Sequence, residues 1–217
     1  MSIFDANLQQ QEANFEPLSP VSFLRRAAQV AAEHTAVIHG DRRYTYAQFY
    51  ERSCRLASAL SQRGVRQGDC VAIMGANTPE MLEAHNGVPM LGAVLNSLNI
   101  RLDARTIAFI LEHGEARVLL TDRGFSDSVR EALELIDREL LVVDIDDPMA
   151  TGGECLGALD YEDLLAEGDP NFAPEPLAGI ILVVYIGDYR RSQGLCIPPS
   201  RGLPECVGQH VHHGPGT

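Results

Sequence analysis

The sequence predicts an α/β protein with a largely parallel sheet flanked by helices. Short, nearly continuous apolar stretches, such as "CVAIM" at residues 70–74, are typical of strands that are buried on both faces of a parallel sheet. Amphipathic stretches of helical period lie between these strands, and capping residues mark several helix ends. The regular alternation of strand and helix is typical of βαβ connections, which align successive strands in one direction.

The first elements are predicted from caps and turns. Ser19 is a candidate N-cap and Pro20 suits the first helical turn. The helix that follows carries an apolar stripe that is expected to face the core, formed by Phe23, Leu24, Ala27, Val30 and Ala31. Residues 36–45 are predicted to form a β-hairpin around the turn Gly40-Asp41. A second amphipathic helix is predicted to begin at the cap Thr45 and to end at Gly64.

Strands and helices alternate through the rest of the chain. Thr78 and Asp103 are predicted N-caps, and Gly114 is a predicted helix stop. The predicted strands are residues 69–75, 93–95, 116–122, 139–146 and 180–184, and the predicted helices are residues 78–86, 103–114 and 124–138. Acidic, glycine-containing connectors, which include residues 160–168, are predicted to lead to the last strand.

The composition excludes several classes of protein. The chain has 217 residues and a formal net charge of −13, and nucleic acid is not an expected partner because duplex binding requires a basic face. No apolar run approaches the roughly 20 residues of a membrane span, and the polar N-terminus lacks a secretory signal pattern. Five scattered cysteines, an odd number, argue against a disulfide framework. These features predict a cytoplasmic location.

One group of candidate site residues lies near a predicted helix end. His85, Asn86 and Gly87 occupy a position from which a side chain can face a ligand. A lone histidine in an α/β fold is nevertheless more often a hydrogen-bonded structural residue. The glycines near the strands lack the G-x-G-x-x-G spacing of a dinucleotide site, so that class of cofactor is not predicted.

Two further groups of polar residues also have a structural interpretation. Asp144 and Asp146 end a predicted strand, where α/β sites often lie, but a turn with residues 147–148 is the favoured interpretation. The last part of the chain holds residue types that ligate zinc, namely Cys196, Cys206, His210, His212 and His213. Their spacing matches neither a paired C-x-x-C motif nor a zinc finger, so metal binding is only an alternative.

The order of motifs along residues 18–182 resembles the N-terminal part of the AMP-forming acyl-CoA synthetases, which are adenylate-forming enzymes. The motifs, in family order, are "YTYAQ", "GVRQGDCVAI", "NTPE", "GAVLNSLNIRL" and "IAFILEHGEARVLLTD". The chain is most similar to the branch that acts on medium-chain or related carboxylic acids. An aromatic residue often follows the histidine of "EAH" in relatives, whereas this chain has Asn86 at that position.

The resemblance implies a two-step reaction. A carboxylate attacks the α-phosphate of ATP to give an acyl-adenylate and pyrophosphate, and the thiol of CoA then displaces AMP. The family uses ATP, CoA and magnesium, and its phosphate loop resembles "YTSGTTGDPKG", in which small residues admit the phosphates and the lysine supplies charge. That loop is expected directly after residues 180–184. This chain has "YIGDYRRSQG" there, and its 17 basic residues are all arginine.

A second reading frame explains the missing loop. Residues 186–194, "IGDYRRSQG", back-translate to degenerate codons that, read one base later, permit Ser, Gly, Thr, Thr, Gly, Asp, Pro and Lys in that order. The following "LCIPPSRGLPECVGQ" permits "FVYHHRGAYLNALGN", which resembles the next segment of the family. The sequence therefore predicts that the chain leaves the family's reading frame just before Val183. A divergent but native C-terminal segment is the alternative.

Two segments are therefore predicted. Residues 1–182 are the N-terminal part of the synthetase domain, and residues 183–217 are an aberrant, out-of-frame and poorly ordered tail, so that the last strand is expected to lack neighbours in the sheet. The chain is expected to be a truncated, inactive acid–CoA ligase that binds ATP, CoA and magnesium poorly, so no catalytic, cofactor-binding or metal-binding residue is assigned. A noncatalytic α/β binding or interaction module and a metal-binding Cys/His tail remain as alternatives.

Overall fold

A computed structural model describes residues 20–157 and 159–173, together with the backbone of residues 182–186 and 193–196. The helices of this part are α1 (Pro20–Val30), α2 (Tyr46–Gln62), α3 (Pro79–Met90), α4 (Ala104–His113), α5 (Ser126–Leu133) and α6 (Tyr161–Glu167), with a 3₁₀ turn at Arg123–Phe125. The strands are β1 (Thr35–His39), β2 (Arg42–Thr45), β3 (Cys70–Met74), β4 (Val94–Ser97), β5 (Ala116–Asp122), β6 (Leu141–Ile145), β7 (Leu159–Asp160), β8 (Leu182–Ile186) and β9 (Gln193–Cys196).

The large sheet confirms the predicted fold class. Its strand order is β7-β6-β5-β3-β4-β8-β9, and every neighbouring pair is parallel except β8 with β9. Strands β1 and β2 form the predicted antiparallel hairpin apart from this sheet. Helices between successive parallel strands carry the chain back across the sheet, as the alternation of elements in the sequence indicated.

The last strand differs from the prediction in its surroundings. Strand β8 covers Leu182–Ile186, and residues 180–181 of the predicted strand lie outside the described residues. The expectation that it lacks neighbours is wrong, because β8 pairs with β4 on one side and with β9 on the other. Neither β9 nor helix α6 was predicted. The sequence around β9 has no strand period, so this strand forms because the free edge of β8 offers backbone hydrogen-bonding partners.

The sheet separates two apolar cores, in keeping with the period-two geometry of a strand. Val71 and Ile73 of β3 face a core that is covered by α2, α3 and α6. Ala72 and Met74 face the opposite core, which is covered by α4 and α5. A strand that is buried on both faces needs apolar residues at successive positions, which explains the continuous run in β3.

Helix α1 was predicted correctly in place but only partly in its packing. Leu24 is buried against the hairpin and α2, as expected. Phe23 and Val30 were expected to face the core, yet their exposed fractions are 58% and 74%. Helix α1 lies at the periphery and packs on one side only, so a wide apolar stripe on this helix is buried along just one of its edges.

The predicted caps within the described residues are largely confirmed, and the predicted cap Ser19 lies outside those residues. Thr45 forms a reciprocal capping box with Gln48 at the start of α2, and the carboxylate of Asp103 accepts the backbone N–H of Thr106 at the start of α4. Gly114 is the C-cap of α4, as predicted. Thr78 is the N-cap of α3 by position, but its side chain makes no capping hydrogen bond, and Pro79 follows it in the first turn.

A buried ion pair joins the helices on one face of the sheet. The Arg52 guanidinium of α2 contacts both carboxylate oxygens of Glu83 on α3, with distances of 2.6 and 3.2 Å, and Glu83 is fully buried. Arg52 also makes a bidentate contact with Glu162 on α6. The Tyr161 hydroxyl donates to Glu83 at 2.9 Å. The cluster therefore connects three helices that are distant in the sequence.

Electrostatics favours the charged state of Arg52, whereas burial raises the pKa of the Glu83 carboxyl in spite of its bonds to Arg52 and Tyr161. Burial by itself lowers the pKa of the Arg52 guanidinium, but hydrogen bonds to Glu162 and Glu83 raise it above its ordinary value. Arg52 additionally lies over the ring of Tyr44, 4.9 Å from its centroid. The Glu83 carboxylate, with no access to solvent, depends on Arg52 and Tyr161 for its compensation.

Replacing Arg52 with alanine is expected to destabilise the protein by about 3 to 5 kcal/mol, because it leaves the Glu83 charge buried without its cation. Urea denaturation followed by circular dichroism measures this free energy of unfolding. Arg117→Ala is the matched control, since Arg117 pairs with Asp69 at the surface, and a loss of less than about 1 kcal/mol is expected there. Equal losses in the two variants would contradict a dominant role for the buried pair.

Candidate functional site

The carboxyl edge of the parallel sheet is the edge at which a ligand site is expected. Strands β3 and β5 are neighbours, yet α3 follows β3 on one face of the sheet and α5 follows β5 on the other. Such a change of direction opens a crevice at the carboxyl ends of the two strands, which is where open α/β sheets usually bind ligands. Strand β8 runs parallel to β4, so the chain after Ile186 leaves the sheet at this same edge.

A cluster of charged side chains fills the crevice at this edge. Arg42 of the hairpin donates to Glu80 at 2.5 Å and to Asp147 at 3.2 Å. His39 Nε2 lies 3.0 and 3.1 Å from the two carboxylate oxygens of Asp147. Glu80 lies in the first turn of α3 and Asp147 follows β6, and both carboxylates are almost fully buried. The contacts fix the β1–β2 hairpin across the edge of the sheet.

The cluster has an excess of acid. Burial raises the pKa of Asp122 at the end of β5, the Gly124 N–H lowers it, and the nearby Asp147 and Glu80 carboxylates raise it further. Burial lowers the pKa of Arg42, but hydrogen bonding and attraction to Glu80 raise it above its ordinary value. Three carboxyl groups thus share one guanidinium and one imidazole. A phosphate group would meet repulsion at this edge unless a further cation were supplied.

The carboxylates of the cluster are engaged by protein groups rather than arranged for a metal. Within the described ranges, no group of three or more His, Cys, Asp or Glu side chains is placed to hold a metal ion. Glu80 Oε2 and Thr121 Oγ1 are buried there without a hydrogen-bond partner. The geometry that the described residues show is that of a structural clamp between the hairpin and the sheet edge.

His85, Asn86 and Gly87 make contacts of the kind expected for structural residues. His85 Nδ1 bonds the Met81 carbonyl at 2.8 Å, and Asn86 donates its side-chain amide to the Leu82 carbonyl. Gly87 lies where α3 crosses α2, and a Cβ at this position would come within 2.8 Å of the Ser53 carbonyl oxygen. These three residues therefore serve local bonding and close helix packing.

The aspartates at the end of β6 bond to protein groups, but only Asp147 bonds within the predicted turn. Asp144 accepts the backbone N–H groups of Leu156 and Gly157 at 2.8 and 2.6 Å. Asp146 is exposed and forms an ion pair with Arg123. Asp147 accepts the N–H of Met149 within the turn, and it also holds His39 and Arg42, which the sequence did not indicate.

The residues of the tail that could ligate zinc have no described side chains. Of Cys196, only the backbone is described, and the other four residues, Cys206, His210, His212 and His213, lie outside the described residues.

The charged cluster at the carboxyl edge was not predicted from the sequence because its members come from separate elements. The sequence contained one local sign of the cluster, the acid Glu80 directly after Pro79 at the start of α3. In the structure Glu80 is buried, with an exposed fraction of 2%.

A large open cleft of about 1010 Å³ lies at the opposite, amino edge of the sheet. Its lining mixes basic and acidic side chains, with Arg63 paired to Glu167 and Arg117 paired to Asp69. Helices α2 and α4 end there, so their negative dipole ends face the cleft. These features do not favour a phosphate-bearing ligand, and the cleft lies away from the edge at which parallel sheets bind ligands.

Together these features define an α/β protein with a buried charged cluster at the carboxyl edge of a parallel sheet. A sequence model described as "AMP-binding enzyme" matches residues 24–182. The match covers well over half of the chain, and the protein therefore belongs to the AMP-binding enzyme family. The resemblance to adenylate-forming enzymes inferred from the motifs is confirmed.

Individual relatives agree with the family match. A peroxisomal acetate/butyrate–CoA ligase of Arabidopsis thaliana is 46% identical over 180 residues, which cover 76% of this chain and 31% of that protein. The chain thus spans about a third of the length of the curated relatives it matches. The curated relatives are acid–CoA ligases and acyl-activating enzymes, several of them described as peroxisomal.

Solved structures share the fold. An anthranilate CoA ligase in complex with anthranoyl-AMP superimposes with a TM-score of 0.73 at 23% identity, over 81% of this chain and 34% of that one. An O-succinylbenzoate coenzyme A synthetase from Bacillus subtilis, in complex with ATP and magnesium ion, gives a TM-score of 0.59 at 25% identity, over 79% of this chain and 41% of the other. Among the described residues of this protein, no helix is long and apolar enough to cross a membrane.

Replacing Asp147 with alanine is expected to destabilise the protein by about 2 to 4 kcal/mol, because it leaves His39 and Arg42 without their shared acceptor. Amide hydrogen exchange in the β1–β2 hairpin should accelerate in the same variant. Asp146→Ala is the neighbouring control, with an exposed carboxylate and an expected loss below about 1 kcal/mol. A hairpin that exchanges at the wild-type rate in Asp147→Ala would disprove the clamp.

Proposed function

We propose that residues 1–182 are the N-terminal part of an AMP-forming acid–CoA ligase and that residues 183–217 are translated outside the frame of that enzyme. The observation that carries the proposal is the hidden "SGTTGDPK" in the codons of residues 186–194. Acid activation needs a cradle for the phosphates of ATP, and that frame encodes one in the expected order. As translated, the chain does not catalyse the reaction.

The fold supports the position of this loop. Strand β8 pairs in parallel with β4 and ends at Ile186, at the carboxyl edge of the sheet. Ile186 pairs with Gln193 of β9, so the connection between these strands begins and ends at that edge. The hidden motif occupies the codons of this connection. The family match ends at residue 182, next to the proposed change of frame before Val183.

The electrostatics of the edge gives a physical reason for the loss of activity. The acids of the cluster are Glu80, Asp122 and Asp147, and Arg42 is committed to two of them. The neighbouring guanidinium of Arg123 is itself paired with Asp146. Phosphate charge at this edge must therefore be balanced by a new cation, and the hidden frame supplies a lysine where the translated chain has Gln193 and Gly194.

The proposal makes a base-by-base prediction for the gene. With CGN codons for arginine, residues 186–193 should be encoded as ATC GGG GAC TAC CGG CGA TCC CAA, which reads one base later as TCG GGG ACT ACC GGC GAT CCC AAG. Sequencing the genomic DNA and its downstream flank tests this. A synonymous GAT at Asp188, TAT at Tyr189 or CAG at Gln193 would destroy the hidden motif, as would stop codons soon after it in that frame. Either result would establish a native, divergent tail instead.

Activity provides the second test. The purified chain is expected to show no acid-dependent exchange between ATP and pyrophosphate, because its phosphates have no cradle. Deleting a single base between the codons of Leu182 and Ile186 should restore the frame and the exchange. Changing the restored loop lysine to alanine should then lower the exchange rate by roughly ten- to a hundredfold, the value of one charged hydrogen bond.

Two outcomes would contradict this reading. Exchange above background that copurifies with the unmodified chain would show that the loop is dispensable. Binding of a carboxylic acid or CoA by the unmodified chain, with no activity after frame restoration, would favour a noncatalytic binding module.

A further inference from the structure

Helix α1 carries an apolar stripe that the described residues leave open. The exposed fractions of Phe23 and Val30 are 58% and 74%. Phe23, Ala27 and Val30 are spaced by four and three residues, so they lie within roughly 60° of one another around the helix axis and form one continuous surface. The buried Leu24, which faces the hairpin and α2, lies about 100° away from Phe23. The stripe is therefore a second apolar side of α1, next to the side that packs on the protein.

The stripe has a basic border. Arg25 and Arg26 are exposed, and the sequence of α1 contains no acid. Arg26 comes three residues after Phe23 and four residues before Val30, so it lies directly beside the stripe. The whole chain, by contrast, has a net charge of −13. Helix α1 is thus a basic and apolar element of an acidic protein, and Coulomb attraction favours an acidic occupant for its open side.

The size of the stripe favours an occupant that is covalently joined to α1. The two large side chains, Phe23 and Val30, expose on the order of 200 Å² together. A separate protein, or a second copy of this chain, needs about 800 Å² on each partner for a stable complex. A segment of the same chain binds with a smaller contact, because its tether keeps it at a high effective concentration beside the stripe.

We propose that residues 3–16 of this chain dock along the apolar stripe of α1. This segment lies outside the described residues, and its sequence complements the stripe in charge and in polarity. It carries three acids, Asp5, Glu12 and Glu16, and no arginine or lysine. The large apolar residues within it are Ile3, Phe4, Leu8 and Phe15. Acids that pair with the basic border, together with apolar side chains that cover the stripe, match both features of α1.

The segment is long enough and is attached at the right place. Phe23 and Val30 are seven residues apart, which is about 10 Å along the helix axis, and roughly four extended residues span that distance. The segment leads into α1 at Pro20, at the amino end of the stripe. Pro17 lies between the segment and the helix, and proline is common where a chain changes direction. A chain that reverses there has more residues than it needs to follow the stripe.

Cysteine labelling tests whether the segment covers the stripe. Val30→Cys is made in the full chain and in a chain that lacks residues 2–14, and a cooperative thermal melt checks that both fold. Maleimide modification of the introduced cysteine, followed by peptide mass spectrometry, should be roughly tenfold or more slower in the full chain. Leu135→Cys is the matched control, because Leu135 follows α5 and has an exposed fraction of 52%. Its labelling rate should be the same in both chains.

Charge reversal tests the contribution of the acids. Glu12→Arg together with Glu16→Arg should raise the labelling rate at position 30 of the full chain by roughly two- to fivefold, and adding Arg26→Glu should lower it again. Equal rates in the full and the shortened chain would overturn the docking proposal. Protection that increases with protein concentration would also overturn it, since that result indicates a second copy as the occupant. A labelling rate that charge reversal leaves unchanged would overturn the pairing of the acids with the basic border.

Discussion

The packing on one face of the sheet depends on the ion pair between Arg52 and Glu83. Helices α2, α3 and α6 cover this face, and each contributes a charged or hydroxyl group to the same cluster. A carboxylate without solvent access costs several kcal/mol unless it is paired and hydrogen-bonded. Because the partners of Glu83 come from two other helices, its burial requires all three to be in place, and the cluster thereby selects one arrangement of helices among many apolar ones.

A second set of buried charges has a different consequence. His39, Arg42, Glu80 and Asp147 hold the hairpin against the carboxyl edge, where parallel sheets usually bind ligands. The cationic side chain of the cluster is already paired with its carboxylates, so the edge remains acidic. An enzyme of this family that handles ATP at this edge therefore has to bring positive charge on another segment. The lysine of the proposed alternative frame would meet that requirement, and the translated sequence contains no lysine.

Much of the fold could be predicted from the sequence, because its signals are local. Continuous apolar runs gave the buried strands, and the caps Thr45 and Asp103 gave helix starts that the structure confirms. Helix α6 was not predicted because it is acidic and has only seven residues. Its burial depends on the contact between Tyr161 and Glu83, which the sequence does not indicate. The outward position of Phe23 and Val30 was missed because periodicity shows that a helix has an apolar side but not how much of that side is covered.

The sequence by itself determined the fold class and the family, since both reside in the order of residues along the chain. Only the tertiary structure decided which charges are buried together. Arg42 and Asp147 are 105 residues apart in the sequence, and Arg52 and Glu162 are 110 residues apart. No local sequence pattern predicts either contact. The physical reason is that desolvation and Coulomb attraction depend on distance in space, and that distance is set by how helices and strands pack rather than by the residues next to each charge.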